Sequence, residues 1–151
     1  MSPEEAQAEK AALKLIARAE QCTSGLARKL ERRGYEESSI SAVISRLCKQ
    51  NLLNDQRFAQ FWINSRLRLT RSPRRLLVSL CGRGIDRDDV EAALKAALNE
   101  ETELALLKRF VEKHSRKAAR DGETSRSLKY LLKNEGFSLS VIELYFDDDN
   151  R

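Results

Sequence analysis

The stretch that decides the fold is Asn54-Asp55-Gln56-Arg57-Phe58-Ala59-Gln60-Phe61-Trp62-Ile63, with the arginine-rich bend that follows it, Arg66-Leu67-Arg68-Leu69-Thr70-Arg71-Ser72-Pro73-Arg74-Arg75. Asn54 is a helix cap, and Phe58, Phe61, Trp62 and Leu69 follow as a predicted buried stripe. Ser72-Pro73 joins a cap to a proline at the first helical position, which starts a second helix carrying Leu76 and Leu80. That helix ends near Gly82 to Gly84. Asp86 starts a third, with Asp88 and Asp89 at the positive end of its macrodipole and Val90, Leu94 and Ala97 along it.

Working outward, both flanks look like weaker copies of this three-helix pattern. Ser2-Pro3-Glu4-Glu5 starts a helix running to about Cys22, with Leu13, Ile16 and Ala17 on one face. Thr23 or Ser24 caps the next, which carries Leu26 and Leu30 and stops at Gly34; Ser38 or Ser39 starts a third with Ile40, Ile44 and Leu47. On the other side a helix from about Glu101 to Lys117 turns Leu104, Leu107 and Val111 inward, and Asp121-Gly122 is a turn. Ser125 caps a helix with Leu128 and Leu132 that ends at Gly136. Ser138 or Ser140 starts the last, with Ile142 and Phe146, and the acidic tail Asp147-Asp148-Asp149 frays.

The copies align position by position: Leu26, Leu30, Gly34; Leu76, Leu80, Gly84; Leu128, Leu132, Gly136. An apolar residue follows each glycine (Tyr35, Ile85, Phe137), a branched one sits six past it (Ile40, Val90, Ile142), and a large one ten past it (Ile44, Leu94, Phe146). The physics accounts for the pattern: the leucines face the core, the glycine takes the left-handed conformation that ends the helix, and the next residue turns back inward. The expected fold is all-α, an elongated array of three tandem three-helix repeats with about nine helices. The units are 1–52, 53–99 and 100–151, each too small to bury much core alone.

Composition agrees with a helical protein: charged residues make up 34% and apolar ones 41%, with two prolines and six glycines. No apolar run approaches the roughly 20 residues that cross a membrane, and the start is not a signal peptide, so a cytoplasmic monomer is expected. Cys22, Cys48 and Cys81 are too widely spaced for a disulfide framework or a metal site and read as free thiols. An enzyme needs convergent titratable groups, yet the one histidine, His114, sits among Lys113, Arg116 and Lys117, and no phosphate-cradling glycine loop is present. Asp147 to Asp149 read as a solvated tail. Neither enzymatic activity nor any cofactor or metal is expected.

Charge distribution says more than the net +5. Residues 1–50 hold nine basic and seven acidic residues, residues 51–100 nine and six, and residues 101–151 ten and ten. From Arg57 to Arg75 six arginines occur without one acid. Such a patch marks a nucleic-acid or acidic-protein partner. Arg71, Arg74 and Arg75 flank a helix start, where each cation opposes the macrodipole at a cost of about 0.3–1 kcal/mol. A phosphate or a partner carboxylate would offset that cost, and arginine makes forked contacts to both. The candidate partner- and DNA-binding residues are Arg57, Arg66, Arg68, Arg71, Arg74 and Arg75, extended by Lys29, Arg32 and Arg33. Phe58, Phe61 and Trp62 are assigned to the core rather than to base stacking, and Asp55 to the start of its own helix.

From about Ala12 to Phe146 the chain resembles the RecX family, regulators of the bacterial RecA recombinase. The carrying motifs are Ser24…Leu26-Ala27-Arg28-Lys29-Leu30…Gly34-Tyr35, then Leu53-Asn54-Asp55-Gln56-Arg57-Phe58-Ala59, Arg66, and Pro73-Arg74-Arg75…Leu80…Gly84-Ile85. The family often has glycine where Ser72 stands, and the third repeat is the least similar. The resemblance implies binding along the groove of the RecA–single-stranded DNA filament, bridging neighbouring RecA subunits. It implies inhibition of ATP hydrolysis and strand exchange, filament disassembly, and a role in recombination, DNA repair and the SOS response. Two other readings compete. A helix-turn-helix duplex binder would send the last helix of the middle unit into the major groove, but that helix opens Asp86-Arg87-Asp88-Asp89-Val90-Glu91, which phosphates repel. A plain helical interaction scaffold would show no salt-sensitive binding to single-stranded DNA or to a RecA filament.

Overall fold

A computed structural model describes residues 1–121 and 124–149. Among them the chain forms nine α-helices and no strand: α1 (Pro3–Arg18), α2 (Thr23–Arg32), α3 (Glu37–Lys49), α4 (Asp55–Arg66), a 3₁₀ turn (Leu67–Leu69), α5 (Pro73–Gly82), α6 (Arg87–Ala97), α7 (Glu100–Asp121), α8 (Ser125–Asn134) and α9 (Leu139–Asp149). Every substantial helix-to-helix contact joins members of one triplet, α1–α3, α4–α6 or α7–α9. The molecule is therefore a helical repeat in which each of the three units has its own hydrophobic core, with Cys22 of the first unit joining the core of the second and Leu53 of the second joining that of the first.

Each unit is built by the same local chemistry. The first helix is capped by a side chain: Ser2 Oγ accepts from the Glu5 N–H at 3.1 Å, Asn54 Oδ1 from Arg57 at 3.0 Å, and Asn99 Oδ1 from Thr102 at 2.8 Å. The second helix ends in a Schellman motif. Gly34, Gly84 and Gly136 have φ of +93°, +89° and +88°. The next residue's N–H (Tyr35, Ile85, Phe137) donates back to Leu30, Leu80 or Leu132 at 3.4, 3.3 and 3.2 Å. Leu26, Leu30, Leu76, Leu80 and Leu132 are fully buried, and Ile85 and Phe137 turn inward as the repeat requires.

Several local expectations are corrected. The first helix stops at Arg18, not Cys22. Leu13 is exposed and Ala17 lies on the surface, because α1 meets α3 through the small residues Ala8, Ala11 and Ala12. In α4 the buried set is Phe58, Ala59, Trp62 and Ile63, the face turned to α6. Phe61, at 61% exposure, and Leu69, at 48%, are outside. Leu69 leaves the stripe because the helix tightens to a 3₁₀ turn with about 3.0 residues per turn instead of 3.6. The cap of α8 is Thr124, in a reciprocal box with Ser127, rather than Ser125. The third helix starts at Glu37, where Glu4 Oε1 accepts from the Glu36 N–H at 3.0 Å and Glu4 Oε2 from the Ser39 hydroxyl at 3.1 Å. Asp147 to Asp149 close α9 as helix. The turn placed at Asp121-Gly122 falls on Gly122, outside the described residues, while Asp121 ends α7.

Candidate nucleic-acid and partner interface

The second helices of the units abut end to end. At the first joint the start of α2 rests on the glycine turn that ends α5: Ser24 Oγ donates to the Gly84 carbonyl at 3.3 Å, and a Cβ built on Gly84 would lie 2.5 Å from that hydroxyl. Asp55, the first residue of α4, supplies the cap that α2 lacks. Its Oδ1 accepts from both the N–H and the hydroxyl of Thr23 at 2.8 Å. At the second joint the start of α5 rests on the turn that ends α8. The Arg74 N–H donates to the Glu135 carbonyl at 3.0 Å, the Ser72 hydroxyl to Glu135 Oε2 at 2.5 Å, and a Cβ on Gly136 would lie 3.0 Å from the Arg74 nitrogen.

The first joint gathers cations that are far apart in sequence. Lys29, Arg32, Arg28 and Arg83 line a cleft of about 200 Å³. Arg28 Nη2 donates to the Arg83 carbonyl at 3.2 Å. The Arg83 guanidinium lies 5.7 Å from the centre of the Trp62 ring, and that of Arg66 stacks on the same ring at 4.0 Å. Burial first, then repulsion from Arg83 and Arg71, holds the Arg66 pKa below its ordinary value. Arg71 in turn lines a second cleft, of about 460 Å³, with Arg74, Arg75 and Glu135. A band of cations thus runs from Arg32 on α2, through Arg83 and Arg66, to Arg75 on α5. Among the described residues none of its members forms an ion pair with an acid. Apart from Glu135 beside Arg71, Arg74 and Arg75, the band carries positive charge with no paired acid, which suits a polyanion.

The predicted site residues divide on this geometry. Lys29, Arg32, Arg66, Arg71, Arg74 and Arg75 fall within the band. Arg33 and Arg68 are exposed and line neither of its clefts. Arg57 is committed to the fold: its guanidinium donates to the Asn51 and Leu52 carbonyls at 3.0 and 3.2 Å and pairs with Glu20 at 3.4 Å. Sequence reasoning missed Arg28 and Arg83, because the joint that brings them together spans 55 residues of chain. The anion expected at the start of α5 is met in part from within the chain, by Glu135. Asp55 does more than start its own helix, since it also caps α2.

The bend itself is strained. Thr70 sits at φ +55°, ψ +48°, a left-handed conformation costly for a β-branched residue, and this reverses the chain between α4 and α5. Phe61 stands exposed on α4, while the Trp62 ring, 6% exposed, is covered. At the start of α6 Asp86 and Asp88 are exposed and Arg87 is paired with Glu91 at 3.0 Å, so this helix offers carboxylates rather than free cations to a major groove. Among the described residues no helix is long and apolar enough to cross a membrane, and no group of His, Cys, Asp or Glu is placed to hold a metal ion.

Residues 8–47 match the first three-helix domain of RecX, and residues 54–94 match its second three-helix domain. The regulatory protein RecX of Treponema pallidum (strain Nichols) is 33% identical over 137 residues, covering 90% of this chain and 81% of its own. That of Caldanaerobacter subterraneus subsp. tengcongensis is 29% identical over 137 residues, covering 91% of this chain and 68% of its own. The crystal structure of RecX from Lactobacillus salivarius superposes with a TM-score of 0.72 at 20% identity, covering 98% of this chain and 97% of that one, a likeness of fold.

Proposed function

The chain belongs to the RecX family of regulatory proteins, and we propose that it binds the RecA–single-stranded DNA filament, inhibits its ATP hydrolysis and strand exchange, and so modulates recombination and DNA repair in the cytoplasm. The observation that carries this reading is the band of cations without ion-pair partners from Lys29 and Arg32 through Arg83 and Arg66 to Arg71, Arg74 and Arg75. The band crosses the joint between two units, so its cations lie on an array that follows an elongated partner better than a globule does. Arginine at nearly every position suits forked contacts to phosphate or to carboxylate.

The test is binding to a RecA filament assembled on single-stranded DNA with a non-hydrolysable nucleotide. Full-length protein should bind with strong salt dependence, and replacing Arg32, Arg71 and Arg83 together by Ala should weaken binding. If the lost contacts are to phosphates, the log–log salt slope flattens by about 0.7 for each. If they are to RecA carboxylates, affinity for the filament falls while affinity for bare single strands is unchanged. A triple variant that binds the filament as the parent does, with the same salt slope, refutes this assignment of the band.

A further inference from the structure

The third unit has a cationic helix of its own, separate from the band. α8 (Ser125–Asn134) carries Arg126, Lys129 and Lys133 and no acid. Tyr130 lies two positions from both Leu128 and Leu132, about 200° round the helix from each at 100° per residue, so the register that buries the leucines turns the tyrosine outward. Its exposure is 69%, so the ring is open to a partner. Arg126 stands one turn before it and Lys133 one turn after, so all three share a face spanning about 10 Å at 1.5 Å per residue. The side chains of Arg126, Tyr130 and Lys133 have no hydrogen-bond or ion-pair partner among the described residues. Lys133 is favourably placed near the helix C-terminus, and Arg126 lies in the first turn, where a cation opposes the macrodipole and a bound anion would offset it.

We propose that the outer face of α8 is a contact for single-stranded nucleic acid, with Tyr130 stacking on an unpaired base and Arg126 and Lys133 holding phosphates on either side. The chemistry selects the occupant. The cations alone would suit any polyanion, but a ring between them adds a stacking platform, and an unpaired strand offers phosphates and free base faces at one spacing. A duplex keeps its base faces stacked inside, and a protein partner at this face would leave oligonucleotide binding unchanged in the Tyr130→Ala variant. α8 is also the end of the series of abutting second helices, since the start of α5 rests on its Gly136 turn. A strand following the band on α2 and α5 would reach α8 next. The proposal rests on the nucleic-acid half of the function above and not on RecA.

The test uses the full chain and a fluorescein-labelled oligothymidylate at low salt, read by anisotropy. Tyr130→Phe keeps the ring and should bind as the parent does. Tyr130→Ala should lose about tenfold in affinity, the size of one base–aromatic stack, with an unchanged melting temperature. Arg126→Ala with Lys133→Ala should flatten the salt slope by about 1.4, two single-strand phosphates. Tyr130→Ala binding within about twofold of the parent, or Tyr130→Phe losing as much as Tyr130→Ala, overturns the stacking role. So does a parent protein that ignores the oligonucleotide. Inhibition of RecA ATP hydrolysis is measured separately on the same variants: a parent that binds the oligonucleotide but leaves RecA unaffected refutes the function proposed above and leaves this site standing.

Discussion

Gly84 and Gly34 hold equivalent places in the repeat, but only Gly84 carries a neighbouring unit, so the same substitution should have different costs. Both have positive φ, +89° and +93°, so alanine at either pays the left-handed penalty of about 1–2 kcal/mol. At Gly34 nothing lies within 4 Å of the new Cβ, and that penalty is the whole effect. At Gly84 the new Cβ meets Ser24 Oγ at 2.5 Å and Ser24 Cβ at 2.7 Å. Rotating the Ser24 side chain relieves the first contact but not the second, since Cβ is fixed to the backbone. The start of α2 must therefore shift by roughly 1 Å, an overpacking cost of about 1–3 kcal/mol. Gly84→Ala should destabilise by about 2–5 kcal/mol against about 1–2 for Gly34→Ala. In a Ser24→Gly background the excess should vanish, leaving a coupling of about 1–3 kcal/mol. Urea unfolding followed by far-ultraviolet circular dichroism, and by fluorescence of Trp62 in the second unit, measures both variants. Equal losses for the two glycines, or no rescue by Ser24→Gly, would refute the end-to-end joint.

Leu30→Ala and Leu80→Ala empty fully buried positions and should each cost about 2–5 kcal/mol by denaturant unfolding; a loss below about 1 kcal/mol contradicts the repeat register. Asp55→Ala removes the side-chain cap of α2 and should cost about 0.5–2 kcal/mol, in the same assay, although its own helix α4 keeps the Asn54 cap. Phe61→Ala should leave the unfolding midpoint nearly unchanged, within about 0.5 kcal/mol, whereas Phe58→Ala should cost about 3–5. Replacing Arg71, Arg74 and Arg75 together by Ala should change stability little, because Arg74 and Arg75 are exposed and the dipole conflict is relieved, while filament binding weakens.

What was legible in the sequence is what local physics decides. The caps Ser2, Asn54, Ser72 and Asp86 act where their residue types and spacing put them, and the three Leu-x-x-x-Leu-x-x-x-Gly patterns end as three superimposable Schellman motifs. The errors fall where geometry departs from an ideal 3.6-residue helix or where two faces compete. Leu69 lies past the 3₁₀ tightening, and Phe61 loses its place to Ala59 and Ile63 because α6 needs a close approach. The site was half legible for a related reason. Arginines close in sequence announce themselves, but Arg28 with Arg83, Ser72 with Glu135 and Thr23 with Asp55 meet only through joints between units. Arg57 matched the composition of the patch, but its donors were already taken by the turn at Asn51 and Leu52. The one sequence signal for the joints was the glycines, which serve at residues 84 and 136 both as helix ends and as landing places for the next unit.

On the proposed function this chain regulates RecA by binding its DNA filament. The most direct measurement is the rate of ATP hydrolysis by RecA on single-stranded DNA as the purified protein is added. The account predicts that the rate falls at protein concentrations well below that of RecA, because one array bound as proposed would touch several filament subunits. A rate unchanged at saturating protein would contradict it.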